Sequence, residues 1–291
     1  DGEAATIEDW LKVFEDTTGR DLSQFKRWYT DAGTPRLKVF EAWSPAATGG
    51  TYTLTFHQEN PATPGQAEKG AKVIPISVGL LNPNGDEVVP TTVLEMTKPV
   101  QSFFFDGLAA KPVPSILRGF SAPVVLERSV PASERAFLLA HDTDPFNRWE
   151  AGRALAKDVL ARMITQGAKP LPELLDGMAQ LAFDDSLDPA FRALALRLPG
   201  EDDMAATLFA AGHVPDPARI YAARKDLQRA VAQALSPRLA ELEAAMRVPG
   251  AYSPDAVSAG KRALRLVALS YLARLDGGAA AGAAYATADN M

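Results

Sequence analysis

The three histidines, His57, His141 and His213, have the side chains in this chain best suited to binding a catalytic metal. A zinc hydrolase usually places two histidines four residues apart on one helix, with a glutamate beside the first, so that both imidazoles face one ion. No pair here has that spacing. We therefore expect each histidine to be structural or solvent-exposed, and the sequence predicts no catalytic, cofactor-binding or metal-binding residue.

Two short motifs offer other chemistry. His141-Asp142-Thr143-Asp144 contains potential metal ligands, but Asp144 directly precedes Pro145, which is typical of a helix cap, so a polar loop between helices is favoured. Gly119-Phe120-Ser121-Ala122 half-resembles a nucleophile elbow, a motif that needs a helix directly after the serine. Pro123 and a strand pattern follow instead, so we interpret this motif as a turn.

Charged and glycine-rich runs have structural explanations. Glu201-Asp202-Asp203 suits a helix N-terminus, where the helix dipole favours negative charge. Lys26-Arg27-Trp28-Tyr29 mixes basic and aromatic residues, as a nucleic-acid site does, but helical spacing places Trp28 with Phe25 in a core. Gly277-Gly278 lacks the Gly-Lys-Ser/Thr sequence of a phosphate loop, so we expect a flexible joint or a tightly packed small-residue helix.

The composition excludes several classes of protein. With 36 acidic and 30 basic residues the net charge is −6, which argues against general nucleic-acid binding. The absence of cysteine excludes disulfides, thiolate nucleophiles and cysteine zinc sites. No apolar run approaches the ~18 residues of a membrane span. We expect a cytoplasmic protein that binds neither nucleic acid nor membrane.

Three zones of the sequence predict a multidomain fold. Residues 1–34 read as two short helices, the first capped by Thr6 and the second beginning at Ser23. Residues 35–130 contain about seven short stretches of alternating apolar and polar residues, separated by turn signals. This pattern predicts an all-β antiparallel sandwich of the Ig-like kind. Pro75 lies within one of these stretches and indicates an edge strand or a bulge.

The third zone, residues 131–291, is rich in Ala, Leu and Arg at helical spacing and predicts an all-α, solenoid-like helical array. A recurrent helix-start signal supports this interpretation. A capping side chain directly before proline accepts a hydrogen bond from a free amide of the first turn, and proline at the first helical position has no amide that would be left unbonded. The signal occurs at Asp144-Pro145, Asp188-Pro189, Asp216-Pro217, Ser236-Pro237 and Ser253-Pro254.

Several segments within residues 1–150 carry a family resemblance. They are Asp1-Gly2-Glu3-Ala4-Ala5-Thr6 with Glu8-Asp9, Phe25-Lys26-Arg27-Trp28-Tyr29 with Gly33-Thr34-Pro35, Pro61-Ala62-Thr63-Pro64 with Gln66-Ala67-Glu68-Lys69, Pro112-Val113-Pro114-Ser115, Phe120-Ser121-Ala122-Pro123-Val124, and Phe146-Asn147-Arg148-Trp149-Glu150-Ala151. In this order they resemble the middle of the bacterial aminopeptidase N family, the gluzincin-type zinc aminopeptidases. The closing Asp289-Asn290-Met291 is also similar.

The resemblance implies a fragment of a zinc metallo-aminopeptidase that removes N-terminal residues from peptides. The fragment would cover the end of the catalytic domain (1–34), the β-sandwich (35–130) and a truncated first part of the C-terminal helical domain (131–291). We therefore expect both ends of the chain to lie within a longer protein. The family's zinc ligands, in H-E-x-x-H and a downstream Glu, would precede Asp1, so no cofactor is expected in this chain, which alone would be inactive.

The resemblance also implies roles and partners. The sandwich would brace the catalytic domain of the same protein, and the helices would enclose the active site so that only short or flexible peptides enter. The alternative is a free-standing protein-interaction module made of a sandwich and helical repeats.

Overall fold

A computed structural model describes residue 2 and residues 4–288 of the chain. The chain divides into two compact units, Asp1–Ser129 and Val130–Met291. The resemblances noted at Asp1, Glu3 and residues 289–291 fall outside the described residues. Among the helices that the structure describes, none is long and apolar enough to cross a membrane.

The first unit begins with two helices, α1 (Ile7–Thr18) and α2 (Arg27–Thr30). The cap predicted at Thr6 is confirmed, since its Oγ1 accepts from the Asp9 amide at 3.2 Å while the Asp9 carboxylate accepts from the Thr6 amide at 2.8 Å. The helix start predicted at Ser23 is wrong. The Ser23 amide donates to the Asp21 carboxylate at 2.9 Å, which forms a local turn and delays the helix to Arg27.

Seven strands in the described part of the chain form the sandwich. They are β1 (Arg36–Ser44), β2 (Gly50–Glu59), β3 (Ile74–Leu81), β4 (Glu87–Met96), β5 (Val100–Leu108), β6 (Val113–Ile116) and β7 (Val125–Glu127). One sheet has the order β5-β2-β1-β7 and the other β4-β3-β6. Tyr52, Leu54 and Phe56 are fully buried between the sheets, while the threonines that alternate with them are partly exposed. The predicted sandwich is therefore confirmed.

One strand pair departs from the predicted antiparallel arrangement. β7 pairs with β1 in parallel, from Arg36 opposite Val125 to Lys38 opposite Glu127. The pairing begins where the Val125 amide donates to Pro35 O at 2.9 Å. β7 therefore runs in the same direction as β1, so the sandwich is of mixed strand direction at this edge.

Pro75 lies in β3, which is the central strand of its sheet, so the predicted edge strand is wrong for β3 as a whole. β6, however, pairs only with Val78–Leu81. The Ser77 amide, which points to the same side as the Pro75 nitrogen, donates instead to Ser121 Oγ at 2.9 Å. Pro75 thus lies where β3 has no partner strand on that side and no ladder bond is lost. Register shifts within residues 78–81 agree with the predicted bulge.

The second unit is all-helical, as predicted. Its helices are α3 (Ala132–His141), α4 (Pro145–Gln166), α5 (Pro172–Phe183), α6 (Pro189–Ala195), α7 (Glu201–Ala210), α8 (Pro217–Ala245), α9 (Ala256–Leu272) and α10 (Ala279–Ala286). Leu155, Leu174, Leu227 and Leu264 are fully buried and join α4, α5, α8 and α9 in one apolar core. Burial of such side chains contributes roughly 1.5–3 kcal/mol each, so packing rather than local propensity fixes the array.

Three of the five predicted helix starts are confirmed. The carboxylates of Asp144, Asp188 and Asp216 accept hydrogen bonds from first-turn amides at 2.8–2.9 Å, and a proline occupies the first position of each helix. The start predicted at Ser253 is wrong, because Asp255 is the cap of α9 and accepts from the Ser258 amide at 2.9 Å. A carboxylate two residues beyond the serine therefore takes over the capping role.

The start predicted at Ser236 is also wrong, because Ser236 and Pro237 lie inside α8. Pro237 has no N–H to donate to the carbonyl of Gln233 four residues earlier. The hydroxyl of Ser236 donates to that carbonyl at 2.7 Å and replaces the missing bond. The same dipeptide that often begins a helix is accommodated here within one.

Gly277 and Gly278 form the turn before α10, with φ angles of 67° and 93°. Such positive φ angles favour glycine, which agrees with the predicted joint. No residue of α10 is buried, so the alternative of a tightly packed small-residue helix is wrong.

Candidate functional site

The three histidines occupy ordinary structural positions. His57 is half-buried on β2, with its ring centroid 4.7 Å from that of Phe40. His141 ends α3 with its ring 4.8 Å from Phe137, and His213 is exposed after α7. Within residue 2 and residues 4–288, no group of three or more histidine, cysteine, aspartate or glutamate residues could hold a metal ion.

The two motifs that offered chemistry have structural roles in the described residues. Asp142 and Asp144 form the predicted polar loop, in which Asp142 Oδ1 accepts from the Asp144 amide at 3.0 Å and Asp144 caps α4. The motif at Gly119 is the predicted turn, a short 3-10 segment in which the Phe120 amide donates to Leu117 O at 3.0 Å. Its Ser121 accepts a backbone hydrogen bond from β3.

The acidic run at Glu201 forms the first turn of α7, as predicted. The carboxylate of Asp203 accepts from Lys157 at 2.7 Å and from Arg153 at 2.5 Å. Burial alone would raise the pKa of Asp203, but these two cations hold it below its ordinary value of 3.8. Asp203 therefore joins α7 to α4 through two ion pairs.

A different feature stands out in the first unit, which we call the N-terminal seam: residues 24–32 bound to residues 60–73 before β3. Lys72 is at its centre and is only 1% exposed. Its Nζ donates to Arg27 O at 3.0 Å and Asp31 O at 3.1 Å, and lies 4.9 Å from the centre of the Trp28 ring. Burial lowers the pKa of Lys72, and the carbonyls and the aromatic face compensate the charge.

Lys69 and Gln66 extend the seam by binding the residues just after α2. Lys69 Nζ donates to Ala32 O at 2.6 Å, and to Pro61 O and Thr63 Oγ1 at 2.8 Å, so all three of its hydrogens are used. Gln66 accepts from the Ala32 amide and donates to the carbonyl of Thr30, both at 2.8 Å. These side chains replace the partners that the carbonyls lose where α2 ends.

Trp28 fastens the other side of the seam. Its ring packs against the sandwich core, and its Nε1 donates to Val73 O at 2.6 Å. Trp28 and Phe25 are both partly buried, but only Trp28 packs against the sandwich core, so the shared core position is confirmed for Trp28 alone; Tyr29 is 48% exposed. Gln24 adds hydrogen bonds to two carbonyls of the sandwich unit at 2.7 and 3.1 Å.

Upstream of the seam, α1 presents apolar side chains to solvent. Trp10 is 56% exposed, Val13 61% and Phe14 42%, while Leu11 on the same helix is buried. The rings of Trp10 and Phe14 meet edge to face, with centroids 4.9 Å apart. A cluster of exposed large apolar residues is typical of a protein contact surface.

Sequence reasoning missed the seam. Its bonds run mainly from side chains to backbone atoms about 35–50 residues away, and no spacing rule predicts such partners. The only signal lay in the resemblance, which included Gln66 and Lys69 in one motif and Trp28 in another.

Comparison with known proteins identifies the family. Residues 132–291 match the family model described as Domain of unknown function (DUF3458_C), ARM repeats, and residues 33–129 match the model described as Domain of unknown function (DUF3458), Ig-like fold. The chain belongs to the DUF3458 family. These two descriptions agree with the sandwich and the helical repeats seen in the structure.

The relatives of this DUF3458 chain are aminopeptidases. It is 41% identical over 270 residues to aminopeptidase N of Caulobacter vibrioides, covering 91% of this chain and 30% of the relative. It is 35% identical over 286 residues to aminopeptidase N of Escherichia coli, covering 94% and 32%. A crystal structure of Legionella pneumophila aminopeptidase A in complex with aspartic acid aligns with a TM-score of 0.79 and 28% identity, covering 95% and 32%.

These matches confirm the aminopeptidase N resemblance seen in the sequence. The chain spans 30–32% of the length of these two curated relatives, so it corresponds to part of a larger enzyme.

Proposed function

We propose that this chain is the non-catalytic structural segment of a cytoplasmic zinc metallo-aminopeptidase that removes N-terminal residues from peptides. The sandwich braces the catalytic domain of the same protein, and the helical array encloses the active site and limits entry to short or flexible peptides. In this proposal the zinc ligands belong to the catalytic domain of the larger protein, where they would activate the attacking water.

The N-terminal seam is the observation that carries the bracing role. A short helix is fixed to the sandwich by a buried ammonium group and by side chains that bind its terminal carbonyls. The helix before it, α1, exposes Trp10 and Phe14. The sandwich can fix the position of a neighbouring domain only if the segment that joins them does not move independently. The seam provides such a rigid segment, and the exposed apolar face of α1 provides a surface for the neighbouring domain to contact.

Capture of the native protein tests the proposal most directly. An antibody raised against this chain would be used to isolate the native species from its source cells, whose mass, zinc content and aminopeptidase activity are then measured. We expect a polypeptide of which this 31.1 kDa chain makes up about a third, with about one zinc ion. A zinc-free, inactive native protein of 31.1 kDa would overturn the proposal and favour the interaction module.

A chimeric enzyme tests the two roles separately. The matching segment of the Caulobacter vibrioides aminopeptidase N would be replaced by this chain. We expect the chimera to hydrolyse short peptide substrates, and we expect Lys72→Met in the chimera to reduce its thermal stability more than Lys38→Met does. The chimera should not hydrolyse long folded substrates. A chimera that folds and binds zinc yet accepts folded substrates would refute the enclosing role alone.

A further inference from the structure

A groove on the helical unit carries an excess of positive charge. It has a volume of about 350 Å³ and lies between the end of α6, the first half of α8 and the end of α9. Arg197, Arg224 and Arg274 line it, and no Asp or Glu is among the described residues that do so. In a chain of net charge −6, three guanidinium groups around one small groove create a local positive potential.

Two of these guanidinium groups are not engaged. Neither Arg197 nor Arg274 makes a side-chain hydrogen bond or ion pair with any residue that the structure describes. Each lies within two residues of a helix end, where it could have bound terminal carbonyls, but it makes no such bond. Arg224 is held at the rim, since its Nε donates to Pro199 O at 2.7 Å and its Nη1 to Glu201 at 3.1 Å.

The floor of the groove is apolar and firmly packed. Leu196 and Tyr271 are 1% and 4% exposed, and the Tyr271 hydroxyl donates to Leu196 O at 2.6 Å. At the rim, Leu266 is 66% exposed, and the side-chain amide of Gln228 has no hydrogen bond to the residues described here. A fixed apolar floor with unengaged donors at its rim is the usual composition of a small-molecule site.

A larger neighbouring groove of about 800 Å³, which shares Leu266, provides a contrast. Its arginines already have partners: Arg265 Nε donates to Glu243 at 2.7 Å, and the Arg262 guanidinium packs 4.6 Å from the centre of the Tyr252 ring. Size alone would favour the larger groove, but only the smaller one offers guanidinium groups free to bind an anion.

We propose that the smaller groove is a binding site for the carboxylate or phosphate group of a small organic anion, held by Arg197, Arg224 and Arg274. Guanidinium groups bind both kinds of oxyanion through paired, charge-assisted hydrogen bonds. An apolar portion of the ligand would lie against Leu266. The site belongs to the helical unit alone and does not depend on the proposed peptidase function.

Isothermal titration of the 291-residue chain at constant ionic strength tests the proposal, with inorganic phosphate and hexanoate as separate probes. We expect saturable binding. The probe that binds more tightly shows whether the site prefers a phosphate or a carboxylate group. Arg197→Ala and Arg274→Ala should each weaken binding roughly tenfold or more, the usual effect of losing a charge-assisted hydrogen bond. Both side chains are exposed, so both variants should fold.

Two further variants serve as controls. Arg229→Ala removes an exposed arginine of α8 outside the groove, paired with Asp226 at 3.6 Å, and should leave the affinities unchanged. Leu266→Ser should weaken the binding of hexanoate but not that of phosphate. The proposal is overturned if neither probe binds saturably, or if Arg229→Ala weakens binding as much as the groove variants do.

Discussion

Replacing Lys72 with methionine tests whether a buried ammonium group holds the N-terminal seam together. Methionine keeps most of the length and the apolar stem of the side chain and removes its charged end. Lys72 is 1% exposed and donates to Arg27 O and Asp31 O at 3.0 and 3.1 Å. We expect Lys72→Met to weaken the docking of residues 27–32 on the sandwich by about 2 kcal/mol.

This magnitude is the difference between opposing contributions. Hydrogen bonds from a charged donor contribute roughly 1.5–3 kcal/mol each, and the position of the ammonium over the Trp28 ring adds about 1 kcal/mol. Against this, burying the ammonium costs several kcal/mol, which is also why burial lowers the pKa of Lys72. Arg27 O keeps its bond from the Asp31 amide at 3.0 Å, so the main loss is the donor to Asp31 O.

Hydrogen exchange of the Asp31 amide is the appropriate assay, because it reports on the seam without requiring the two units to unfold together. A loss of 2 kcal/mol corresponds to roughly 30-fold faster exchange. Lys38→Met is the control, since Lys38 is 47% exposed and its pair with Glu59 at 3.2 Å contributes less than about 1 kcal/mol. If Lys72→Met exchanges as slowly as the wild type, the buried charge does not stabilise the seam and the reasoning is refuted.

Three further substitutions test the two units. A methyl group at Gly79 would overlap the buried guanidinium of Arg118, so Gly79→Ala should lower the urea midpoint by the equivalent of about 1–3 kcal/mol; an unchanged midpoint would mean that Arg118 can move. Burial would raise the pKa of Glu243, but two neighbouring arginines hold this pKa below its ordinary value of 4.5. The ionised Glu243 carboxylate therefore stabilises the fold above pH 4.5, and this contribution is lost as the pH falls through the folded-state pKa. Glu243→Gln should therefore flatten the acid limb of a plot of melting temperature against pH; a limb as steep as that of the wild type would contradict this. Pro237→Ala restores an N–H for the carbonyl of Gln233 and should stabilise α8 by about 1–3 kcal/mol in urea denaturation; an unchanged or lower stability would contradict this reasoning.

The features that sequence could predict are those fixed by local rules. The alternation around Tyr52, Leu54 and Phe56 specified a strand because one face of the sheet is buried and the other partly exposed. The Asp-Pro helix starts were correct because an aspartate before proline satisfies amides of its own helix. The Ser236 signal failed because serine also bonds backward inside a helix, and the Ser253 signal failed because Asp255 caps α9 instead.

The N-terminal seam and the smaller groove could not be predicted, because each depends on residues brought together by folding. Nothing in the local sequence distinguishes Lys72 from the other lysines, because the carbonyls of Arg27 and Asp31 come next to it only in the folded chain. Arg197 and Arg274 are 77 positions apart in sequence, and only the packing of α6 against α9 brings them to one groove. Contacts between polar groups that are far apart in the sequence produce no periodic pattern from which they could be predicted.

The half-open side of β3 has a consequence for association between molecules. Unpaired strand edges recruit strands from other chains and so initiate aggregation or domain exchange. Along residues 74–77 of β3, one position facing the open side is Pro75, which has no N–H to offer, and the next is Ser77, whose N–H is already taken by Ser121. A foreign strand arriving there would find no available donor, so this stretch is protected against intermolecular β-pairing while the chain is folded.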